Sequence, residues 1–278
     1  MDHLQSERSR RTRIGMVTTA LLMAISTAAD AQTHPHPAGT SHDHHHGLQF
    51  AHPLFAESVS PDTELRLHFG HASEHEADES EVEVEVGYAL GRSLSLEIGL
   101  PYVVVASGPG GSESNIANLE LTLRFANFVF EKHGVLLGYG LGVGFPSGNS
   151  VKGIGSDHIW EVAPFLSMGF QRGRFEFVGH SLLGLTTNQH DGEALEREFH
   201  YDVSSLYRFS NRMQGLVELN GEMAIGGHEA GEGVVAISPG IKVAPVPNRA
   251  LFIGLGASFP LNEEKLGPRL RVSTFYHF

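Results

Sequence analysis

Apolar and polar residues alternate with a period of two from about residue 62 to the last residue, and no long stretch shows helical periodicity. In Glu81–Leu90, Val82, Val84, Val86, Tyr88 and Leu90 share one face, and Glu81, Glu83 and Glu85 share the other. Ser93–Tyr102, Asn118–Phe125 and Val135–Phe145 repeat the alternation, the last with Gly138, Gly140, Gly142 and Gly144 in the polar phase. Strict alternation is the signature of strands whose two faces meet different media. The pattern predicts twelve strands, near 62–72, 80–90, 93–104, 114–126, 133–145, 157–171, 173–186, 197–209, 213–224, 233–243, 250–259 and 268–278. Most exceed the usual soluble strand of about 5–6 residues and suit the roughly 9–11 residues a tilted membrane-crossing strand requires.

The connections alternate in length. Gly91–Arg92, Arg172–Gly173, Ser210–Arg212 and Pro245–Asn248 are short, with Asn127–Lys132 slightly longer. His71–Glu79, Ser107–Ser114, Pro146–Ser156, Thr187–Glu196, Gly226–Glu232 and Pro260–Pro268 are longer and polar. Short turns at one end and long loops at the other predict an all-β fold, a transmembrane up-and-down antiparallel β-barrel of about 12 strands. An even count puts both termini on the short-turn, periplasmic side.

The first thirty-one residues differ. Arg8, Arg10, Arg11 and Arg13 precede an apolar run, Ile14–Ala29, and Ala29-Asp30-Ala31 offers an A-x-A cleavage site. Residues 1–31 are therefore expected to be a secretory signal peptide. Residues 32–61 are expected to be a flexible, disordered, His-rich periplasmic arm, and residues 62–278 the outer-membrane barrel. The arm holds His34, His36, His42, Asp43, His44, His45, His46 and His52 among prolines and glycines. Clustered imidazoles suit zinc, copper or nickel, so the arm is a candidate metal chelator; no cofactor is required by the fold. The alternative for the tract is a soluble linker that binds metal incidentally.

The final strand, Arg269–Phe278, places Leu270, Val272, Thr274, Tyr276 and Phe278 on one face. It resembles the terminal assembly signal of bacterial outer-membrane proteins, with Arg271, Tyr276 and Phe278 matching and Ser273 standing where glycine is usual. Residues 60–278 also resemble, in barrel pattern and glycine-aromatic texture, the transporters of the phenol-degradation meta-pathway type. The resemblance implies a Gram-negative outer-membrane location, lipids and the barrel-assembly machinery as partners, and a solute channel.

With closure, the polar phase lines a lumen: Glu83, Glu85, Glu97, Glu120, Arg124, Glu161, Glu176, His180, His200, Asp202, Arg208, Glu218, Glu222, Lys242, Arg269 and Arg271. So many charges require either water or dense ion pairing inside. The first is a polar, cation-favouring pore for small solutes, divalent metal cations among them; the second is a plugged barrel. The glycine row at 138–144 either widens the lumen or accommodates a bulky neighbour such as Phe165. His71, His75, His190 and His228 fall in long loops and form a candidate external rim.

Composition narrows the classes. A net charge of −13 argues against nucleic-acid binding, and the absence of cysteine excludes disulfides and thiolate metal sites. Two further classes compete with a channel. A lipid-acting barrel hydrolase would need a Ser-His pair on the lipid face, but Ser181 and Ser205 have no histidine in phase, so no catalytic residue is assigned. A structural or adhesive barrel would display larger loops.

Overall fold

The computed structural model describes residues 48–74, 78–91, 93–106, 111–187, 195–227, 230–246, 250–263 and 266–278. The strands are β1 (Glu64–Glu74), β2 (Asp78–Ala89), β3 (Leu94–Ala106), β4 (Ser112–Ile116), β5 (Leu119–Phe130), β6 (Val135–Phe145), β7 (Trp160–Arg172), β8 (Phe175–Thr187), β9 (Arg197–Ser210), β10 (Met213–Gly226), β11 (Gly233–Val243), β12 (Leu251–Pro260) and β13 (Leu266–His277). Apart from β4 and β5, sequence neighbours pair antiparallel, and β1 pairs with both β2 and β13, which closes the ring. β4 and β5 both pair with β3 and are two halves of one barrel strand, broken at Ala117–Asn118, so the barrel has twelve staves. Closure leaves no unpaired edge except the outer edge of the short β4, close to the condition for a sheet in hydrocarbon.

The faces are inverted relative to a soluble protein. Leu166, Tyr88, Leu255 and Val203 are half or more exposed on the outside, while Glu83, Glu218 and Arg124 are almost fully buried within. Water would leave that apolar exterior unsolvated; lipid matches it. Aromatic clusters mark both ends of the outer face. Phe125 stacks on Tyr139 and Phe175 packs tilted against Tyr207 near the short turns, with centroids 5.3 and 4.8 Å apart, and Phe145–Trp160 lies near the long loops at 5.0 Å.

Three expectations need correction. The β1–β2 connection is not a long loop: pairing runs from Glu64–Gly87 up to Ser73–Asp78, because the alternation of β2 continues through Ser80 and Asp78. The strand expected at 114–126 is interrupted. Most consequentially, residues 48–61 are not a free arm. Leu48, Phe50, Leu54 and Val59 are buried in one cluster with Ala126, Leu136, Val178, Leu206, Leu216 and Phe275 from the inner wall. Five apolar side chains in fourteen residues find no solvent-exposed role, and the lumen takes them in.

Candidate functional site

Residues 48–62 form a plug in the short-turn half of the lumen, and side chains from around the barrel converge on its backbone. On β10, the Glu218 carboxylate accepts from the backbone N–H of Leu54 (2.7 Å), Phe55 (3.1 Å) and Ala56 (2.9 Å), and from Ser204 Oγ (3.0 Å). On β8, Glu176 accepts from the N–H of Ala51 at 2.9 Å. The carbonyls of the plug are met by cations: Lys242 Nζ donates to His52 O, Arg271 to Leu54 O at 3.1 Å, and Arg124 to Ser58 O. A backbone loop in a low-dielectric space needs such partners for its groups. The inward polar phase of the strands supplies them.

Glycine makes the room. A Cβ at Gly169 would lie 2.7 Å from the Phe50 ring and from Val59, one at Gly240 2.6 Å from Leu54, and one at Gly256 2.8 Å from Phe55. Three inner walls are thus carved to the shape of the plug. The glycine row on β6 has the second of its two foreseen uses. Phe165 packs onto Gly140, and its ring carries the Arg124 guanidinium at 5.2 Å.

Glu57 ties the plug to an ion-pair cluster. It lies 3.2 Å from Arg66 and 3.0 Å from Arg124, and these arginines also hold Glu85 and Glu97. Burial alone would raise the Glu57 carboxyl, but the two guanidinium groups outweigh it and hold it below the ordinary range. Its contribution is therefore present at neutral pH and is lost only as pH falls through that depressed value. His52 is held well below its usual range by burial, with Arg66, His277 and Lys242 adding to the effect. The neutral ring sits 3.2 Å from Asp62 and 3.1 Å from Glu64. His52 is therefore a buried plug residue rather than a free chelating one. The remaining residues expected to chelate metal, His34, His36, His42, Asp43, His44, His45 and His46, lie outside the described residues.

Above the plug, toward the long loops, the lumen is acidic. Glu79, Glu81, Glu120, Glu161, Glu198, Asp202 and Glu222 share this half with Arg269, which is 3.7 Å from Glu79. Glu198, His200 and Glu222 cluster across β9 and β10, with His200 3.3 Å from Glu198 and 4.0 Å from Glu222. Across β8–β9, His180 faces Asp202 at 3.8 Å. The lumen-lining residues expected from the alternation thus face inward, and the structure divides them into a plug-binding set and an acidic vestibule. Of the expected rim, His71 sits at the end of β1, 3.0 Å from Ser80, whereas His75, His190 and His228 lie outside the described residues. Tyr276 and Phe278 face outward with centroids 5.8 Å apart, while Arg271 faces inward to the plug.

The alternation reading passed over Glu64, Arg66, His68 and Glu198, although Glu64-x-Arg66-x-His68 against Leu65, Leu67 and Phe69 is the same pattern seen in β2. Glu57 had no periodic signal.

No family model and no curated protein matches the chain. Its fold is that of outer-membrane β-barrel channels. An outer-membrane channel from Pseudomonas putida F1 superposes with a TM-score of 0.62 at 14% identity, over 80% of this chain and 97% of that one. The NanC porin gives 0.56 at 7% identity, over 77% and 100%, and the KdgM porin 0.50 at 8%, over 77% and 99%. At these identities the likeness is one of architecture.

Proposed function

We propose that this protein is an outer-membrane channel for small solutes, closed by its own residues 48–62 and favouring cations at its long-loop entrance. The observation that carries the reading is the division of the lumen. A narrow apolar segment fills one half, yet it is held by a few discrete polar anchors rather than by strand pairing. The other half is an acidic, partly exposed vestibule. A plug attached through Glu218, Glu176, Lys242 and Arg271 leaves as a unit once those anchors are exchanged for water, and β1 tethers it at Asp62. Fixed carboxylates at the entrance raise the local concentration of cations and repel anions.

The short-turn end, from which the plug enters, is placed in the periplasm on this reading, with Arg271, Tyr276 and Phe278 as the terminal-strand signal for the barrel-assembly machinery. The barrel pattern also supports membership among transporters of the phenol-degradation meta-pathway type. Divalent transition-metal ions are the narrower candidate cargo; what supports them is the donor chemistry of the histidine tract. A lipid hydrolase is disfavoured, because Ser181 and Ser205 stand opposite Tyr201 and Phe177 on their paired strands, with no histidine beside them in register.

Reconstitution in planar bilayers tests the reading. Intermittent conductance is expected, with a reversal potential in a salt gradient that reports cation preference. A barrel that stays silent even after the plug is released, or one that prefers anions, would overturn it.

A further inference from the structure

His68 on β1, Glu83 and Glu85 on β2 and Ser273 on β13 meet at the junction between plug and vestibule. Glu83 stands directly opposite His68 in the β1–β2 register, and Ser273 directly opposite it in the β1–β13 register. One row across three strands therefore reads Glu83, His68, Ser273, all inward. Ser273 Oγ lies 2.7 Å from His68 Nδ1, which fixes the ring and turns Nε2 toward Glu83 Oε2, 3.8 Å away. That gap is too long for a hydrogen bond. It is within reach of two ligands sharing one first-row ion, whose bonds are about 2.0–2.2 Å long.

Glu83 supplies the decisive observation. It is 1% exposed, and neither carboxylate oxygen has a hydrogen-bond partner. An unsatisfied buried carboxylate is costly and calls for a partner. Of the cations around it, Arg271 acts on it most strongly but donates to the Leu54 carbonyl of the plug, and the others are engaged by other carboxylates. Arg66 is shared among Glu57, Glu64, Glu85 and Glu97, and Arg124 between Glu57 and Glu97. Gly99 on β3 keeps the space beside Glu83 Oε1 free of a side chain; a Cβ there would be 3.9 Å from that oxygen. One ligand atom each from His68, Glu83 and Glu85 lies within 4.8 Å of the others.

We infer that His68, Glu83 and Glu85 form a binding site for a divalent first-row transition ion, with Ser273 as the positioning residue of the imidazole. One nitrogen and two carboxylate oxygens suit Zn²⁺, with water completing a four-coordinate shell. A serine on the non-ligating ring nitrogen is the outer-shell arrangement that orients a metal-bound histidine. The site lies at the floor of the vestibule and is independent of the histidine tract and of whether the barrel conducts.

The test is zinc binding to the full-length chain in detergent, with His34, His36, His42, His44, His45 and His46 replaced by serine so that the tract contributes nothing. Calorimetry is expected to show one zinc per barrel. Ser273→Ala should weaken it by roughly 10–100-fold, and Glu83→Gln or His68→Gln by at least as much, with the heat-modifiable gel shift of a folded barrel retained. Should those variants not fold, anomalous diffraction at the zinc edge from the His-to-Ser chain decides: a peak between His68 and Glu83 supports the site. Zinc affinity unchanged by Glu83→Gln, or no peak at that place, would overturn it. Conductance enters neither measurement, so loss of the channel reading and loss of this site are separable.

Discussion

Glu218→Gln is the most direct perturbation of the plug. The Glu218 carboxylate accepts from three consecutive backbone N–H groups, Leu54, Phe55 and Ala56, through both oxygens. A glutamine keeps the shape but turns one oxygen into a donor, which then faces N–H groups. In the better of its two orientations it retains the bonds at one oxygen. One or two charge-assisted bonds are lost, each worth about 1.5–3 kcal/mol. A neutral side chain is easier to bury, which offsets part of this, so about 3 kcal/mol is the working figure. At about 1.4 kcal/mol per tenfold, the ratio of released to docked plug rises on the order of 100-fold. Single-channel recording reads that ratio as open-state occupancy. The absence of native cysteine permits a clean converse. Leu54→Cys with Gly254→Cys puts two thiols where the leucine side chain now packs on the bare glycine. The disulfide should silence the channel until reductant is added. Unchanged occupancy in a folded Glu218→Gln barrel, or full conductance through the crosslinked one, would refute the plug as gate.

Other consequences follow from the same geometry. Gly169→Ala places a methyl group 2.7 Å from Phe50 and Val59, its nearest neighbours, so it should unseat the plug at a cost of about 1–3 kcal/mol and raise open occupancy more than it lowers barrel stability. Val203→Arg, at the middle of the outer face of β9, should destabilise folding into phospholipid vesicles by about 2–4 kcal/mol, measured by urea titration. Replacing Glu161, Glu198 and Glu222 together by glutamine should shift the reversal potential toward zero with little change in open occupancy, because the three line the vestibule and are not among the anchors that hold the plug backbone.

The barrel was legible because lipid and water impose opposite demands on alternate residues, and no packing detail blurs a period of two. Strand ends expected at 197, 213, 233 and 243 fall where the structure has them, and the inward phase of β2, β8 and β10 is as read. The broken stave at Ala117–Asn118 was passed over, although the phase slips there: Ile116 and Leu119 are apolar and three residues apart, which an unbroken alternation does not allow. The plug was missed for a different reason. Prolines, glycines and six histidines in Thr33–Gly47 dominate the composition of the arm, and averaging over 32–61 hides the change at Leu48. From there, Leu48, Phe50, Leu54, Phe55 and Val59 are too apolar for a solvated linker and too irregular for a strand. The inward glycines on β7, β11 and β12 were the complementary signal, because cavities that fit a foreign side chain are read only when both partners are considered.

The distribution of charge explains how one lumen can hold an apolar segment and still attract ions. In the short-turn half, Arg66, Arg124, Arg208, Lys242 and Arg271 stand close to Glu57, Glu64, Glu85, Glu97, Glu176 and Glu218, so the charges nearly cancel, and what is left over is spent on backbone N–H and carbonyl groups of the plug. A near-neutral, internally paired wall is one against which leucine and phenylalanine can pack. In the long-loop half the described acids outnumber the bases, and none of the described segments fills the space. Removing Glu57 with the plug would leave Arg66 and Arg124 with one carboxylate fewer, tipping the inner half toward positive charge. Cation preference therefore belongs to the entrance, and the opened inner half should add little to it; the vestibule triple substitution should abolish most of the selectivity even in a channel held open by Glu218→Gln.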